Sequence, residues 1–180
     1  MSRSNTTRYR AARAGELDQL VKIDDDACTL YADAGLDLSF GAESPVVREE
    51  QVAWTAALAK GDVRLAMSHD GLGSDGFIAM AWKDGRAYVE QLSVRRTAMR
   101  RGIGRALMAW GEEWARQRRA PGLLLTTYGH VPWNRRYYEA LGWFVLPETA
   151  WGPEIRATVA FQRAHLPDPQ ERVAMVKKLV

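Results

Sequence analysis

Apolar and polar positions change period several times along the chain, and the changes mark out its elements. Tyr9 to Ala12 reads as a short first strand. From Glu16, Leu17, Leu20, Val21, Ala27, Leu30 and Tyr31 recur at helical spacing, which puts Asp24, Asp25 and Asp26 on the opposite face, read first as solvated and second as a cation-attracting rim. Gly35 closes that segment, and a loop from Leu36 to Ser44 follows, carrying Asp37, Phe40 and Glu43. Ser44 and Pro45 open a second helix as N-cap and first-turn proline, and it runs through Val52, Trp54 and Leu58 to Gly61. The pattern then shortens. Val63–Met67, Phe77–Trp82 and Tyr88–Val94 read as strands, divided by turn-forming residues at 70–76 and by Asp84-Gly85, and short turns favour an antiparallel meander.

Helical spacing returns at Ile103, Ala106, Leu107, Trp110 and Trp114, and this long helix ends near Arg118-Arg119. The apolar run Leu123–Tyr128 is of strand length. It follows a strand and a helix, so a right-handed crossover sets it parallel to Tyr88–Val94. A short helix comes next, with Pro132 in its first turn and Gly142 past its end. The strand Trp143–Leu146, an extra helix over Glu154–His165 and a last strand within Arg172–Leu179 complete the pattern. The expected class is α+β: a mixed, mostly antiparallel twisted sheet of six to seven strands, flanked by helices, with an extra helix near the C-terminus.

The chain has 180 residues, 47% of them hydrophobic, enough for one substantial core. With no internal repeat or linker, residues 1–180 read as a single domain, with 1–7 loose and 150–180 adding the C-terminal helix and last strand. A formal net charge of +3 is too mild to argue for nucleic acid. Cys28 is the only cysteine, which excludes an intrachain disulfide and a cysteine metal cluster. The amino end lacks an apolar signal core and no stretch approaches a membrane span. The expectation is a cytoplasmic protein with neither nucleic-acid nor membrane partners and no metal.

The stretch from Tyr88 to Trp114 holds the most specific chemistry. Between strand and helix lies a turn studded with Arg95, Arg96, Arg100, Arg101 and Arg105, closing on Gly102-Ile103-Gly104. The first N–H groups of a helix have no partner within it, the helix dipole favours negative charge there, and glycine lets a phosphate approach the backbone. These residues read as a pyrophosphate cradle.

Two motifs resemble the GNAT superfamily of acetyl-CoA-dependent N-acetyltransferases. Leu92-Ser93-Val94 followed by Met99-Arg100-Arg101-Gly102-Ile103-Gly104 is similar to the family's pyrophosphate loop, [Q/R]-x-x-G-x-[G/A]. Tyr138-Glu139-Ala140-Leu141-Gly142-Trp143 resembles its Y-E-x-x-G-F ending. The order of elements matches from Tyr9 to Leu146. Two departures stand out: Met99 replaces Gln or Arg, and Val131 stands where many members have a cofactor-contacting Asn.

The resemblance implies acetyl transfer from acetyl-CoA to a primary amine of a small molecule or peptide, directly, in a ternary complex. It implies cofactor contacts from Leu92, Ser93, Val94, Met99, Arg100, Arg101, Gly102, Ile103, Gly104 and Arg105. Asn134 either replaces the absent Asn or serves the helix start. Tyr138 matches the family's general-acid tyrosine. Strand alternation puts Glu90 with Tyr88, Leu92 and Val94 on one face, where Glu90 is either the base or half of an ion pair. Tyr31, Phe40, Trp82, Tyr128, His130 and Trp133 are candidates for the acceptor pocket, with Trp151, Asp33 and Glu43 as further options. A non-catalytic acyl-CoA-binding regulatory module and a nucleic-acid patch on the arginines are the competing readings. A homodimer through the extra helix and last strand stays open.

Overall fold

A computed structural model describes residues 7–179; most of the segment expected to be loose, residues 1–6, lies outside the described residues. Hairpin turns join β2 (Val63–Met67), β3 (Ser74–Lys83) and β4 (Arg86–Val94) into the expected meander, and β1 (Tyr9–Ala11) pairs with β2 at its outer edge. β5 (Gly122–Tyr128) follows β4 in parallel. β7 (Arg172–Lys178) then inserts between β5 and β6 (Phe144–Leu146), so the described strands form one sheet in the order β1-β2-β3-β4-β5-β7-β6. Every pairing but β4–β5 is antiparallel. This is the mixed α+β architecture expected, with one point that local pattern does not carry: the last strand enters ahead of its predecessor.

Helices cover both faces. α3 (Ile103–Gln117) buries Leu107, Met108 and Trp114 against Ile78, Met80, Val89 and Leu123. Side chains of this size each contribute roughly 1.5–3 kcal/mol when fully buried. α4 (Arg135–Ala140) lies with the same cluster through Tyr138. It begins three residues later than Pro132, which sits in a turn ahead of it. The opposite face carries α1 (Leu17–Cys28), α2 (Pro45–Lys60) and α5 (Pro153–His165). α2 begins as its sequence demands: Ser44 Oγ accepts from Val46 N–H at 3.3 Å, Pro45 occupies the first turn, and Gly61 ends the helix at φ 74°. No helix of the described residues is long and apolar enough to cross a membrane.

Two sequence expectations are corrected here. Asp24 does not lie on a solvated face. It falls between Ile23 and Ala27 on the inner stripe of α1 and is 7% exposed. Nor do Tyr88, Glu90, Leu92 and Val94 share a face. Ala79 pairs with Gln91 and Met80 with Val89, leaving Glu90 as the extra residue of a β-bulge. The bulge shifts the phase: Leu92 and Val94 join Val89 towards α3, while Gln91 and Ser93 turn to Asp24 of α1.

Gly76 lies where β3 and β4 press together. A Cβ there would stand 2.8 Å from the Ser93 carbonyl oxygen, 3.2 Å from Val94 Cγ2 and 3.3 Å from Ile103 Cγ2. Gly76→Ala is expected to lower stability by about 1–3 kcal/mol, seen as a lower urea midpoint with unchanged slope. Gly41→Ala, with open space around its position, is the control expected to stay near the parent.

Candidate active site

The arginine turn folds into an anion cradle. Arg100 (φ 61°) and Gly102 (φ 79°) both take left-handed backbone, which bends the chain sharply before α3 begins. The backbone N–H groups of Arg100 through Arg105 have no acceptor among the described residues, whereas Ala106 N–H already bonds to Gly102 C=O. Such a run of open N–H groups at a helix start favours a phosphate. The arginines divide by role. Arg96 is tied to Asp33 and to Thr29 C=O, Arg95 donates to Ser74 C=O, and Arg101 lies 3.6 Å from Asp75. Arg100 and Arg105 are exposed and make no ion pair among the described residues. Met99 is half-buried with extended backbone.

Tyr137 closes the other side of this turn. Its Oη would lie 3.0 Å from a Cβ built on Gly104, and it is buried without a hydrogen-bond partner among the described residues. Burial pushes its pKa up to about 12, with the Arg105 charge opposing.

Next to the turn the sheet opens. β4 and β5 pair only at Ala87–Leu123 and Tyr88–Leu124, and from there the two parallel strands separate. The Glu90 bulge stands at the parting. Tyr88 Oη and Thr126 Oγ1 stay bonded across it at 3.0 Å. A cavity of about 470 Å³ occupies the opening, reaching Leu92 of β4, Thr127 of β5, Tyr138 of α4 and the inward faces of α1, α2 and α5. The Tyr138 ring packs edge-on to Tyr137 and Trp143, and burial strongly raises its pKa, so the phenol is protonated.

The walls are unusually acidic: Asp24, Glu49, Glu50, Glu90 and Glu154 line the cavity, against Lys83 and Arg172. Asp24 accepts from Gln91 Nε2 at 2.6 Å and from Ser93 Oγ; burial raises its pKa and these bonds oppose the rise. Burial likewise raises Glu90, with Lys83 opposing. Glu50 is pushed up to about 8, first by burial and then by the charges of Asp24 and Glu90, with Arg172 opposing. Carboxylates packed this way cannot all ionise, and an incoming cation relieves their repulsion.

The sequence candidates scatter around this centre. Tyr138, Glu90, Leu92 and Tyr31 line the cavity, and Phe40 lines a smaller one adjoining Asp24 and Glu50. Asn134 Nδ2 donates to Tyr31 Oη at 3.0 Å, so its amide serves the protein's own packing. Ser93 turns away from the cofactor side, to Asp24, while Val94 and Ile103 pack in the core under α3. Four acceptor candidates fall elsewhere. Trp82 lies against Trp114 at 5.8 Å. Tyr128 is 1% exposed, its Oη held by Pro167 C=O. His130 is exposed, between Asp168 and Glu171 at 3.3 and 3.6 Å. Trp133 packs into a small cluster with Leu36 and Val131. Trp151 belongs to the α5 core, Asp33 holds Arg96, and Glu43 pairs with Arg48 in solvent. The sequence reading missed Glu50, Arg172 and Asp24 as cavity residues. Glu50 had a legible sign: it lies four residues from both Val46 and Trp54, inside the buried stripe of α2.

Residues 49–143 match the model of the acetyltransferase (GNAT) family, over half of the chain, and the chain belongs to that family. Solved structures agree in fold. The PaiA N-acetyltransferase of Thermoplasma acidophilum, in complex with coenzyme A, is 15% identical with a TM-score of 0.70, over 97% of this chain and 99% of that one. Rv2747 of Mycobacterium tuberculosis, in complex with CoA and NLQ, is 14% identical at 0.67, over 96% and 99%. The N-acetylglutamate synthase of Neisseria gonorrhoeae, complexed with coenzyme A and N-acetyl-glutamate, is 15% identical at 0.66. That match covers 99% of this chain but only 36% of the Neisseria enzyme, so this chain spans about a third of its length.

The family is one of acetyltransferases, and its cofactor is acetyl-CoA. The residues here fit it: open N–H groups at Arg100–Arg105, free cations at Arg100 and Arg105, and the orphaned Tyr137 hydroxyl beside Gly104. Gly104→Val, which fills the space under that hydroxyl, is expected to weaken coenzyme A binding at least about tenfold, or roughly 1.4 kcal/mol, by calorimetric titration. Undiminished affinity would remove the turn from the anion-binding role.

Proposed function

We propose that this acetyltransferase acylates a primary amine by direct transfer in a ternary complex, with Tyr138 as proton donor and the Glu50–Glu90 pair as proton acceptor. One observation carries the reading: a half-buried, protonated phenol and a carboxylate cluster line the same cavity, where β4 and β5 part beside the anion-cradling turn. Acetyl-CoA, when bound, supplies an acetyl group already activated as a thioester. Arg100, Arg105 and the N–H groups between them hold its diphosphate.

The protein's own residues supply the proton chemistry. The acceptor amine arrives as an ammonium ion, and the acidic wall attracts it. Its proton passes to a carboxylate of the cluster, which leaves a neutral nucleophile. Glu50 suits this task because its raised pKa makes it a stronger base than an ordinary carboxylate. Glu90, the bulge residue next to the strand opening, shares the load: ionising either carboxylate raises the other. Tyr138 Oη holds its proton at neutral pH and gives it to the departing sulfur. The protein backbone lining the parted β4 edge offers N–H groups to polarise a carbonyl.

A turnover screen that follows coenzyme A release across amine classes tests the reading. Coenzyme A binding with no turnover on any amine would instead favour a regulatory acyl-CoA-binding module. Tyr138→Phe is expected to lower kcat by about a hundredfold or more, with coenzyme A affinity kept; full turnover in this variant at all pH values would remove the assignment.

Glu50→Gln is expected to lower kcat/KM and to erase an activity limb that, in the parent, rises with pH through about 8 as Glu50 ionises. The same shift has a stability consequence of opposite sign. The folded chain holds this proton more tightly than the unfolded one, whose carboxyl titrates near 4.5. Its favourable contribution is therefore full below that value and lost as pH rises towards 8. At pH 9 Glu50→Gln should melt at a higher temperature than the parent while being less active, checked by thermal unfolding.

A further inference from the structure

Two cations line the cavity, and of these Arg172 is the one on the side away from Glu90, whose charge Lys83 opposes. Arg172 opens β7, is only 8% exposed, and lines the cavity together with Tyr138 and Glu50. A buried guanidinium ordinarily meets a carboxylate, because an unpaired charge away from water is costly. None lies within 4.0 Å of it among the described residues, although other arginines of the chain do have such partners. Its neutral contacts instead fix its position. Nε and Nη2 donate to Gln162 Oε1 at 3.2 and 3.0 Å, and Nη2 reaches Thr126 Oγ1 at 3.4 Å. Thr126 Oγ1 is itself bonded to Gln162 Nε2 and Tyr88 Oη, and the guanidinium carbon lies 4.6 Å from the Tyr128 ring centre. Nη1 has no partner among the described residues.

Glu50, across the cavity, feels the Arg172 charge but is a poor counter-ion. Burial first, and then the negative charges of Asp24 and Glu90, hold its carboxyl in the protonated form up to about pH 8. The cavity therefore has two poles. One is the carboxylate group of α1, α2 and β4; the other is a rigidly held cation on β7 with donor capacity left over. A plain amine or polyamine would meet the first pole and leave the second uncompensated. A molecule bearing both an ammonium and a carboxylate satisfies both, with the guanidinium fork matching a carboxylate in shape as well as charge.

We infer that the acceptor is an amino carboxylate, whose carboxylate is bound by Arg172 while its amine faces Glu50 and Glu90. This rests on the reading of the cavity as the acceptor site, and it specifies the class of amine.

Calorimetric binding in the presence of coenzyme A separates the inference from that reading. Each of three amino acids is compared with its decarboxylated counterpart: L-lysine with 1,5-diaminopentane, L-phenylalanine with phenethylamine, L-leucine with isoamylamine. At least one amino acid is expected to bind about tenfold or more tighter than its counterpart, and Arg172→Gln is expected to erase that preference while coenzyme A affinity holds. If no amino acid is preferred, or if none binds, the inference is overturned, and acetyl transfer to plain amines in the turnover assay would leave the proposed function standing. Arg172→Lys guards against a folding defect. It keeps the charge but loses the fork, so the preference should fall severalfold; an unchanged preference in either folded variant would also overturn the inference. Where an amino acid is turned over, the loss in Arg172→Gln should appear mainly in KM for that acceptor, not in kcat.

Discussion

The parting of β4 and β5 is the constraint on which the rest of this molecule depends. A parallel pair would ordinarily continue its ladder, yet here it stops after two registered positions. The Glu90 bulge next to the last paired residues is a sufficient local cause, because an extra residue bends a strand and increases its twist. Parting leaves backbone edges without strand partners, and it opens a passage between the two layers of helices. The phosphate-binding turn lies on one side of that passage and the acidic cavity on the other. In the proposed function, a thioester on the turn and an amine in the cavity would meet there.

Burial explains the chemical character of the opening. The same desolvation keeps the Tyr138 phenol protonated and lifts the Glu50 carboxyl towards the range of a useful base. The two effects differ in consequence: raising the phenol keeps its proton in place at neutral pH while making it a weaker donor, and raising the carboxylate makes it more basic. The arrangement is costly for folding. Asp24, Glu50 and Glu90 crowd together, and Arg172 is buried without a carboxylate partner. Uncompensated polar groups of this kind are characteristic of sites that await a ligand.

The two arms of the site differ in how they are built. The phosphate turn is local: two left-handed residues, a run of open N–H groups and the first turn of α3 lie within one short segment. The acidic cavity is assembled from α1, α2, β3, β4, β5, α4, α5 and β7, and its charged residues come from widely separated segments apart from Glu49 with Glu50 and the hairpin pair Lys83 and Glu90. Arg172 reaches it only because β7 inserts between β5 and β6. The extra C-terminal helix contributes as well, since Gln162 of α5 holds the guanidinium in place.

Period, caps and turn residues in the sequence alone determined most elements, and with them the mixed sheet. The Gly102-Ile103-Gly104 turn was legible because its shape depends on close neighbours in the chain, whereas Tyr138 was picked out only by the resemblance to the family's motif. Three things were decided only by tertiary structure. A bulge set against β3 reversed the expected face of Leu92 and Val94, since alternation counts residues and cannot see an unpaired one. Asp24, assigned to solvent by its acidic neighbours, went inside because Gln91 and Ser93 of another element satisfy it. The carboxylate cluster and its opposing arginine have no spacing in common; they acquire their shared character from the desolvated volume that the parted strands enclose.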